Sequence, residues 1–277
     1  MIVFPNGKIN IGLQIKQKRA DGFHDLETIF YPIKVKDVLE IIKHTPTEKE
    51  NNPVIKFSTS GVSIPEASGV NICEKAYHLL QKDFPQITSC QMHLHKTIPI
   101  GAGLGGGSAD AAEVLITLNK LFNLSLSKQQ LINYVSVLGS DCPFFIETRP
   151  AYATGRGELL TQIPVDLKGY NIFLVHPAIH INTGWAFNAL AIDTTHHCYL
   201  PDALQLPVNE WKNNIYNDFE TPVFAAYPDI QNIKTVLLNE GAVYAALSGS
   251  GSSVYGIFKA DEKRILNFPA HYFTKWV

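Results

Sequence analysis

The stretch PIGAGLGGGSADAA, Pro99 to Ala112, packs five glycines into seven positions, Gly101 to Gly107, and then turns to alanine-rich sequence. Glycine loses more entropy on ordering than any other residue, roughly 0.5–1 kcal/mol relative to alanine in regular structure. Such a run is either a connector or a place where bare backbone must be approached closely. Upstream, CQMHLH alternates Cys90, Met92 and Leu94 as a strand, and downstream Ala111, Leu115, Leu118 and Phe122 recur at helical spacing. Strand, glycine loop and helix together aim backbone N–H groups and a helix N-terminus at an anion. Ser108, at the helix entrance, adds a hydroxyl suited to capping the helix, touching phosphate or ligating a metal.

Five glycines exceed what a strand-to-helix turn needs. The pattern GxGxxG matches at Gly101, Gly103 and Gly106, but a dinucleotide site expects an acidic residue about 20 positions later. Asn123 to Gln130, NLSLSKQQ, contains none. The Walker pattern fails as well, because Gly107-Ser108 stands where Gly-Lys is required. A phosphate cradle without that lysine must draw its positive charge from elsewhere, which directs attention to Lys8 in FPNGKINIG. A lone lysine on a strand usually points to solvent. Asp141, in LGSDCPFF, is the second outlying charge, and its plain reading is a turn or cap aspartate. Taken together, an anion loop, a lysine and a base-capable aspartate are the parts of phosphoryl transfer.

Around these motifs the chain alternates strands and helices. KINIGLQI places Ile9, Ile11, Leu13 and Ile15 on one face of a half-buried strand, and DVLEIIKH and PVIKFSTS read as further strands. Between the latter two, TPTEKENN reads as an exposed turn. NICEKAYHLLQKDF reads as a helix sharing Cys73, Ala76, Leu80 and Phe84 on one face. Ser127 and Gln130 form a capping-box pattern that opens another helix, ending near Gly139. ETRPAYATGRGE carries the domain boundary, which divides the chain into 1–155 and 156–277. Beyond it YNIFLVHP is a strand, DIQNIKTVLLNEG a helix closed by Gly241, and AVYAAL and SVYGIF are strands joined by SGSGS. Helix-covered sheets in two α+β layers are the expected architecture.

Composition excludes several classes. The 277 residues are 45% hydrophobic and 17% charged with a net charge of -2, a globular balance without a basic nucleic-acid footprint. Cys73, Cys90, Cys142 and Cys198 show no CxxC spacing, which suits reduced thiols and a cytoplasmic protein. No stretch approaches the ~18 apolar residues of a membrane span. His196, His197 and Cys198 read as a solvated loop, because structural zinc requires four well-spaced ligands. His93 and His95 share a strand face with nothing nearby to complete a site, and Cys142 reads as a buried thiol beside Asp141.

PIGAGLGGGSADAA resembles the phosphate-binding motif of the galactokinase, homoserine kinase, mevalonate kinase and phosphomevalonate kinase (GHMP) superfamily. PNGKINIGL and LSGSGSSVYGIF resemble its first and third motifs. KRADGFHDLETIF, Lys18 to Phe30, resembles the R-x-DG[YF]H-x-(L/I)-x-T-x-F signature of the 4-diphosphocytidyl-2-C-methyl-D-erythritol kinase family, and LGSDCPFF its catalytic-aspartate segment. The resemblance implies an α+β, two-domain GHMP kinase fold. Its N-terminal domain would be ribosomal protein S5 domain 2-like and its C-terminal domain a ferredoxin-like sandwich. It further implies ATP as co-substrate with Mg2+, a cytidine diphosphate methylerythritol acceptor, and a monomer or weak homodimer.

By the same resemblance Asp141 is the base and Lys8 its cationic partner. Pro99, Ile100, Gly101, Ala102, Gly103, Leu104, Gly105, Gly106, Gly107, Ser108 and Ala109 hold the ATP phosphates, with Ser108 also toward a metal held mainly by ATP. Asn71 and Lys96 line the adenine side. Asn10 touches the acceptor substrate, Phe23 and His24 recognise cytosine, and Phe187 closes an aromatic sandwich with Thr183 and Phe30 on the same wall. Two positions depart from the common pattern: Gly7 precedes Lys8, and Phe23 replaces the commoner tyrosine.

Overall fold

The computed structural model describes residues 1–44, 54–65, 69–261 and 264–277. The stretch Thr45 to Asn52, expected as an exposed turn, lies outside them. The first half of the chain runs β1 (Ile2–Val3), β2 (Asn6–Lys18), β3 (His24–Lys36), β4 (Val38–Lys43), β5 (Ile55–Gly61), α1 (Ile72–Asp83), β6 (Cys90–Lys96), α2 (Gly106–Leu121), α3 (Lys128–Ser136) and α4 (Phe144–Glu147). There follow β7 (Ala151–Thr154), β8 (Leu159–Gln162), β9 (Tyr170–His176), α5 (Thr183–Asn188), α6 (Leu200–Ala203), α7 (Glu220–Ala226) and α8 (Pro228–Asn239). The chain closes with β10 (Tyr244–Leu247), β11 (Val254–Lys259) and β12 (Phe273–Trp276).

These elements form two compact units, and the division is not the single cut near residue 155 that composition suggests. One unit comprises Met1–Gly7, Lys34–Ile100 and Gly105–Thr148, and the other Lys8–Ile33, Gly101–Leu104 and Arg149–Val277. The reason is strand pairing: β3 pairs with β7 through Thr28↔Ala153 and Phe30↔Ala151, so the early residues belong with the late ones.

The first unit is a sheet of order β1-β4-β6-β5 with α1 and α2 packed together on it. Parallel pairing of β5 with β6 requires a crossover, which α1 supplies. Asn71 caps α1, accepting from Cys73 N at 2.9 Å while Glu74 accepts from Asn71 N, and Cys73, Ala76 and Leu80 are buried as their spacing predicts. The Ser127–Gln130 capping box opens α3, which ends at Ser136, three residues before Gly139.

The second unit holds two sheets, β2-β3-β7-β8 and β10-β11-β9-β12. Its apolar core collects Leu13, Ile15, Phe173, Val175, Phe219, Val223, Ile233, Leu237, Leu247 and Phe258. β2 departs from the half-buried expectation, since Gly7 to Ile15 are all buried. Segments late in sequence cover it: a Cβ on Gly12 would lie 2.8 Å from Ile215 Cγ2, and Ile15 N donates to Asp218. Burial of both faces is what places Lys8 and Asn10, at 3% and 2% exposure, inside the protein.

His176, at the end of β9, is 8% exposed with Nδ1 3.1 Å from Ser252 Oγ, and burial pushes its pKa down to about 4. The unfolded chain, with histidine near its ordinary 6.5, takes up a proton that the folded chain refuses. The stabilisation is therefore complete above about pH 6.5 and is lost as pH falls toward 4. Urea unfolding at pH 4.5 against pH 7 is expected to show this group costing about 2 kcal/mol, a difference that His176→Gln removes.

Candidate functional site

In the second unit the geometry is built around one backbone carbonyl. Lys8 Nζ donates to Asn10 Oδ1 at 2.6 Å and to the Gly103 carbonyl at 3.1 Å, and sits 5.2 Å from the centroid of the Phe30 ring. Ser248 Oγ donates to the same Gly103 carbonyl at 2.9 Å and accepts from Asn10 N at 3.3 Å. Asn10 Nδ2 donates to Thr28 Oγ1 at 2.9 Å. Lys8 is thus a buried ammonium fixed to the glycine loop, not a solvated strand lysine. Asn10 has its amide engaged on both sides, so its visible work is to aim Lys8. Thr28 and Ser248 escaped the sequence reading as functional residues, although each lies inside a motif that reading quoted.

Gly103 has φ of +76°, and a Cβ on it would stand 2.0 Å from the Ser248 carbonyl oxygen, so only glycine fits. Gly107 is different. It lies in the first unit, inside the first turn of α2, and the nearest atom to an added Cβ is Ile72 Cγ2 at an ordinary 3.9 Å. Nothing in the fold requires glycine there, which leaves an incoming ligand as the reason for a bare backbone. The helix start agrees. Its N-cap, Gly105, offers no side-chain hydrogen bond and its first turn has no acidic residue, so its N–H groups and positive dipole end stay available to an anion.

Also in the first unit, Asp141 occupies the turn between α3 and α4, where its carbonyl accepts from Phe144 N at 3.3 Å. Next to it, burial pushes the Cys142 thiol up to about 12, only partly opposed by a hydrogen bond from Ser108. Cys142 stays a thiol and does no nucleophilic work, while the contact ties the Ser108 hydroxyl to the segment carrying Asp141.

Lys96, expected on the adenine side, has an ammonium committed to an ion cluster. Its ammonium is enclosed in the core, 4% exposed, donating to Asp37 and, at 2.7 Å, to Asp110. Burial works against its charge, yet the two carboxylates together outweigh burial and its pKa is raised. Burial raises Asp110, whose Oδ1 lacks a hydrogen-bond partner. Asn71 likewise has its side-chain oxygen occupied as the cap of α1.

The residues of the DGFH element lie in the second unit. His24 stacks on Phe187, centroids 4.8 Å apart and planes 21° from parallel, so His24 and not Phe23 is the ring against Phe187. Burial and the nearby Lys18 lower the His24 pKa and keep the imidazole neutral. Phe23 is 51% exposed. Thr183 opens α5, its Oγ1 3.4 Å from Ser250 Oγ in the β10–β11 turn. Asn217 holds that turn, donating to the Leu247 and Gly249 carbonyls at 2.9 and 2.8 Å. His196 is exposed as a solvated loop would have it, but His197 is not, at 6% side-chain exposure, and both Nε2 atoms lie within 3.1 Å of the Asp218 carboxylate.

Comparison with known proteins places these features in a family. Residues 71–148 match the GHMP kinases N terminal domain and residues 202–274 the GHMP kinases C terminal domain. A 4-diphosphocytidyl-2-C-methyl-D-erythritol kinase of Azobacteroides pseudotrichonymphae is 48% identical over 277 residues, 99% of this chain and 100% of the relative. The enzyme of the same name from Bacteroides fragilis is 46% identical, covering 95% and 94% of the two chains. A crystal structure of 4-(cytidine 5'-diphospho)-2C-methyl-D-erythritol kinase superposes with a TM-score of 0.77 at 26% identity over 92% of this chain and 89% of that one. The mevalonate kinase of Methanococcus jannaschii, at 14% identity, TM-score 0.67 and coverage of 94% and 90%, shares the fold.

The contrast between the two glycines is testable. Gly107→Ala is expected to stabilise the protein in urea by roughly 0.5–1 kcal/mol, the helix-propensity difference, while weakening nucleotide binding on the order of tenfold, about 1.4 kcal/mol. Unchanged affinity in that variant would refute ligand approach as the reason for the glycine. Gly103→Ala is expected to lose stability instead, by at least about 1 kcal/mol.

Proposed function

The chain belongs to the GHMP kinases and, within them, to the 4-diphosphocytidyl-2-C-methyl-D-erythritol kinases, and on that premise we propose that it transfers the γ-phosphoryl group of ATP to the 2-hydroxyl of 4-diphosphocytidyl-2-C-methyl-D-erythritol. The observation that carries the reading is 48% identity extending over 99% of the chain. The acceptor O–H proton passes to the Asp141 carboxylate as oxygen bonds to the γ-phosphorus, and the bond from that phosphorus to the ADP oxygen breaks. Phosphoryl transfer has a loose transition state, so positioning and electrostatics are the larger part of catalysis. Lys8 supplies the electrostatic part, its ammonium held on the Gly103 carbonyl by Asn10 and offsetting charge on the transferring group. The glycine loop and the start of α2 hold the phosphates.

Mg2+ fits the donor set in a limited way. It favours oxygen ligands and keeps waters and substrate phosphates. The first turn of α2 has no carboxylate, so Ser108 is the side chain there that would hold it. Bound, the metal would neutralise phosphate charge.

For the acceptor, a neutral His24 offers one N–H and one lone pair to a base edge, which suits the donor–acceptor pattern of cytosine. Phe187 and Phe23 offer ring faces. Likeness to homoserine and mevalonate kinases is one of fold, and the DGFH element favours the cytidylated substrate over theirs.

Asp141→Asn is expected to lower turnover of the cytidylated substrate by about 10²–10⁴-fold, the contribution of a positioned base, with ATP binding retained in a nucleotide titration. Turnover like that of the unaltered protein would remove Asp141 from the base role. ADP release with homoserine but not with the cytidylated acceptor would overturn the substrate assignment.

A further inference from the structure

Arg156 lies on the tip of the β7–β8 hairpin, and no feature of the motifs calls for an arginine there. Its guanidinium carbon stands 4.8 Å from the centroid of the Phe23 ring, within the range of a cation–π contact. Both partners are held from behind. The hairpin tip is docked onto β3 by Leu26 N donating to the Gly155 carbonyl at 2.7 Å. Glu158 accepts from Arg156 N at 2.6 Å and pairs with its Nε at 3.5 Å. Phe23 is pinned by its backbone, its N donating to Asp21 Oδ1 at 3.1 Å and its carbonyl accepting from Arg19 N at 2.8 Å. Arg19 in turn grips Asp21 and Asp25.

The backbone of Phe23 is therefore fixed, but its ring projects from a turn with 51% exposure and no hydroxyl to anchor it. An exposed ring free to change rotamer must be ordered when a ligand stacks on it, which weakens binding. A planar guanidinium lying on one face removes much of that freedom and leaves the opposite face open. Arginine suits this better than lysine because its plane matches the ring.

We propose that Arg156 is a positioning residue for acceptor recognition: it holds the Phe23 ring in place so that the nucleobase of the cytidylated substrate stacks on the ring's other face. The inference rests on the proposed substrate site, in which Phe23 meets the base. It assigns to Arg156 no contact with the reacting atoms and none with ATP.

Steady-state kinetics with the intact protein test it through four variants. Arg156→Ala is expected to raise KM for 4-diphosphocytidyl-2-C-methyl-D-erythritol about three- to thirtyfold, the range of a cation–π contact expressed as affinity. kcat, KM for ATP and Tm are expected to stay as they were. A general structural defect would shift these as well, and that outcome overturns the proposal. Arg156→Lys is expected to restore part of the lost affinity. Phe23→Ala is expected to raise the same KM, and adding Arg156→Ala to it is expected to cause no further rise, because the arginine acts only through the ring. If the two effects multiply, Arg156 touches substrate directly, for instance its diphosphate, and the positioning role falls. If Phe23→Ala raises KM and Arg156→Ala does not, the inference fails while the substrate site stands. If neither substitution moves KM, the substrate site itself is wrong and the inference falls with it.

Discussion

The carbonyl of Gly103 accepts two side-chain donors at once, the Lys8 ammonium and the Ser248 hydroxyl. The three participants come from the first, second and third motifs of the chain, separated by 95 and 145 residues. A backbone carbonyl is a fixed acceptor whose position follows from the loop's dihedral angles, so the ammonium is located as accurately as the loop. This constrains the neighbouring residues in turn. Gly103 must adopt a left-handed conformation to present the carbonyl, Asn10 must accept a second bond from the ammonium, and Thr28 must occupy the amide of Asn10. A buried ammonium is tolerable only when it is hydrogen-bonded, and these two oxygens contribute to that while keeping the charge at the loop.

Much of this was legible in the sequence. The glycine run, the missing Walker lysine and the consequent search for another cation led to Lys8 by chemistry alone, and periodicity located β2, β4, β5, β6, α1 and α2. What escaped depends on distant partners. The polar positions of β2 look like an exposed face until distant residues are seen to meet them, Gly103 at Lys8, Ser248 at Asn10, and Leu200 and Ile215 at Gly12. The ion cluster of Lys96 is hidden in the sequence because Asp37, 59 residues away, is not a visible neighbour in the chain. His24 and Phe187 are grouped by resemblance, but that they stack directly on each other has no periodic signal in the sequence.

Buried charge is used in two ways. Lys96 with Asp37 and Asp110 is an enclosed ion cluster in the first unit, where burial disfavours every charge and the members stabilise one another. Lys8 in the second unit is tied instead to the glycine loop, its ammonium donating to the Asn10 amide oxygen and the Gly103 carbonyl. Two lysines of almost equal burial are thus anchored differently, Lys96 between two carboxylates and Lys8 on the backbone of the glycine loop.

The chain's repeated passage between its two units also bears on how the protein is made. Lys8–Ile33 is made well before most of its unit, which apart from Gly101–Leu104 begins at Arg149. At typical rates of synthesis that interval lasts roughly 6–20 s. During it, a long hairpin meant to be covered on both faces has only itself for company, with unpaired edges of the kind that nucleate misassembly. The polar tip at Arg19, Asp21 and Asp25, closed on itself by its own ion pairs, gives the nascent hairpin a charged and self-contained end before any partner arrives.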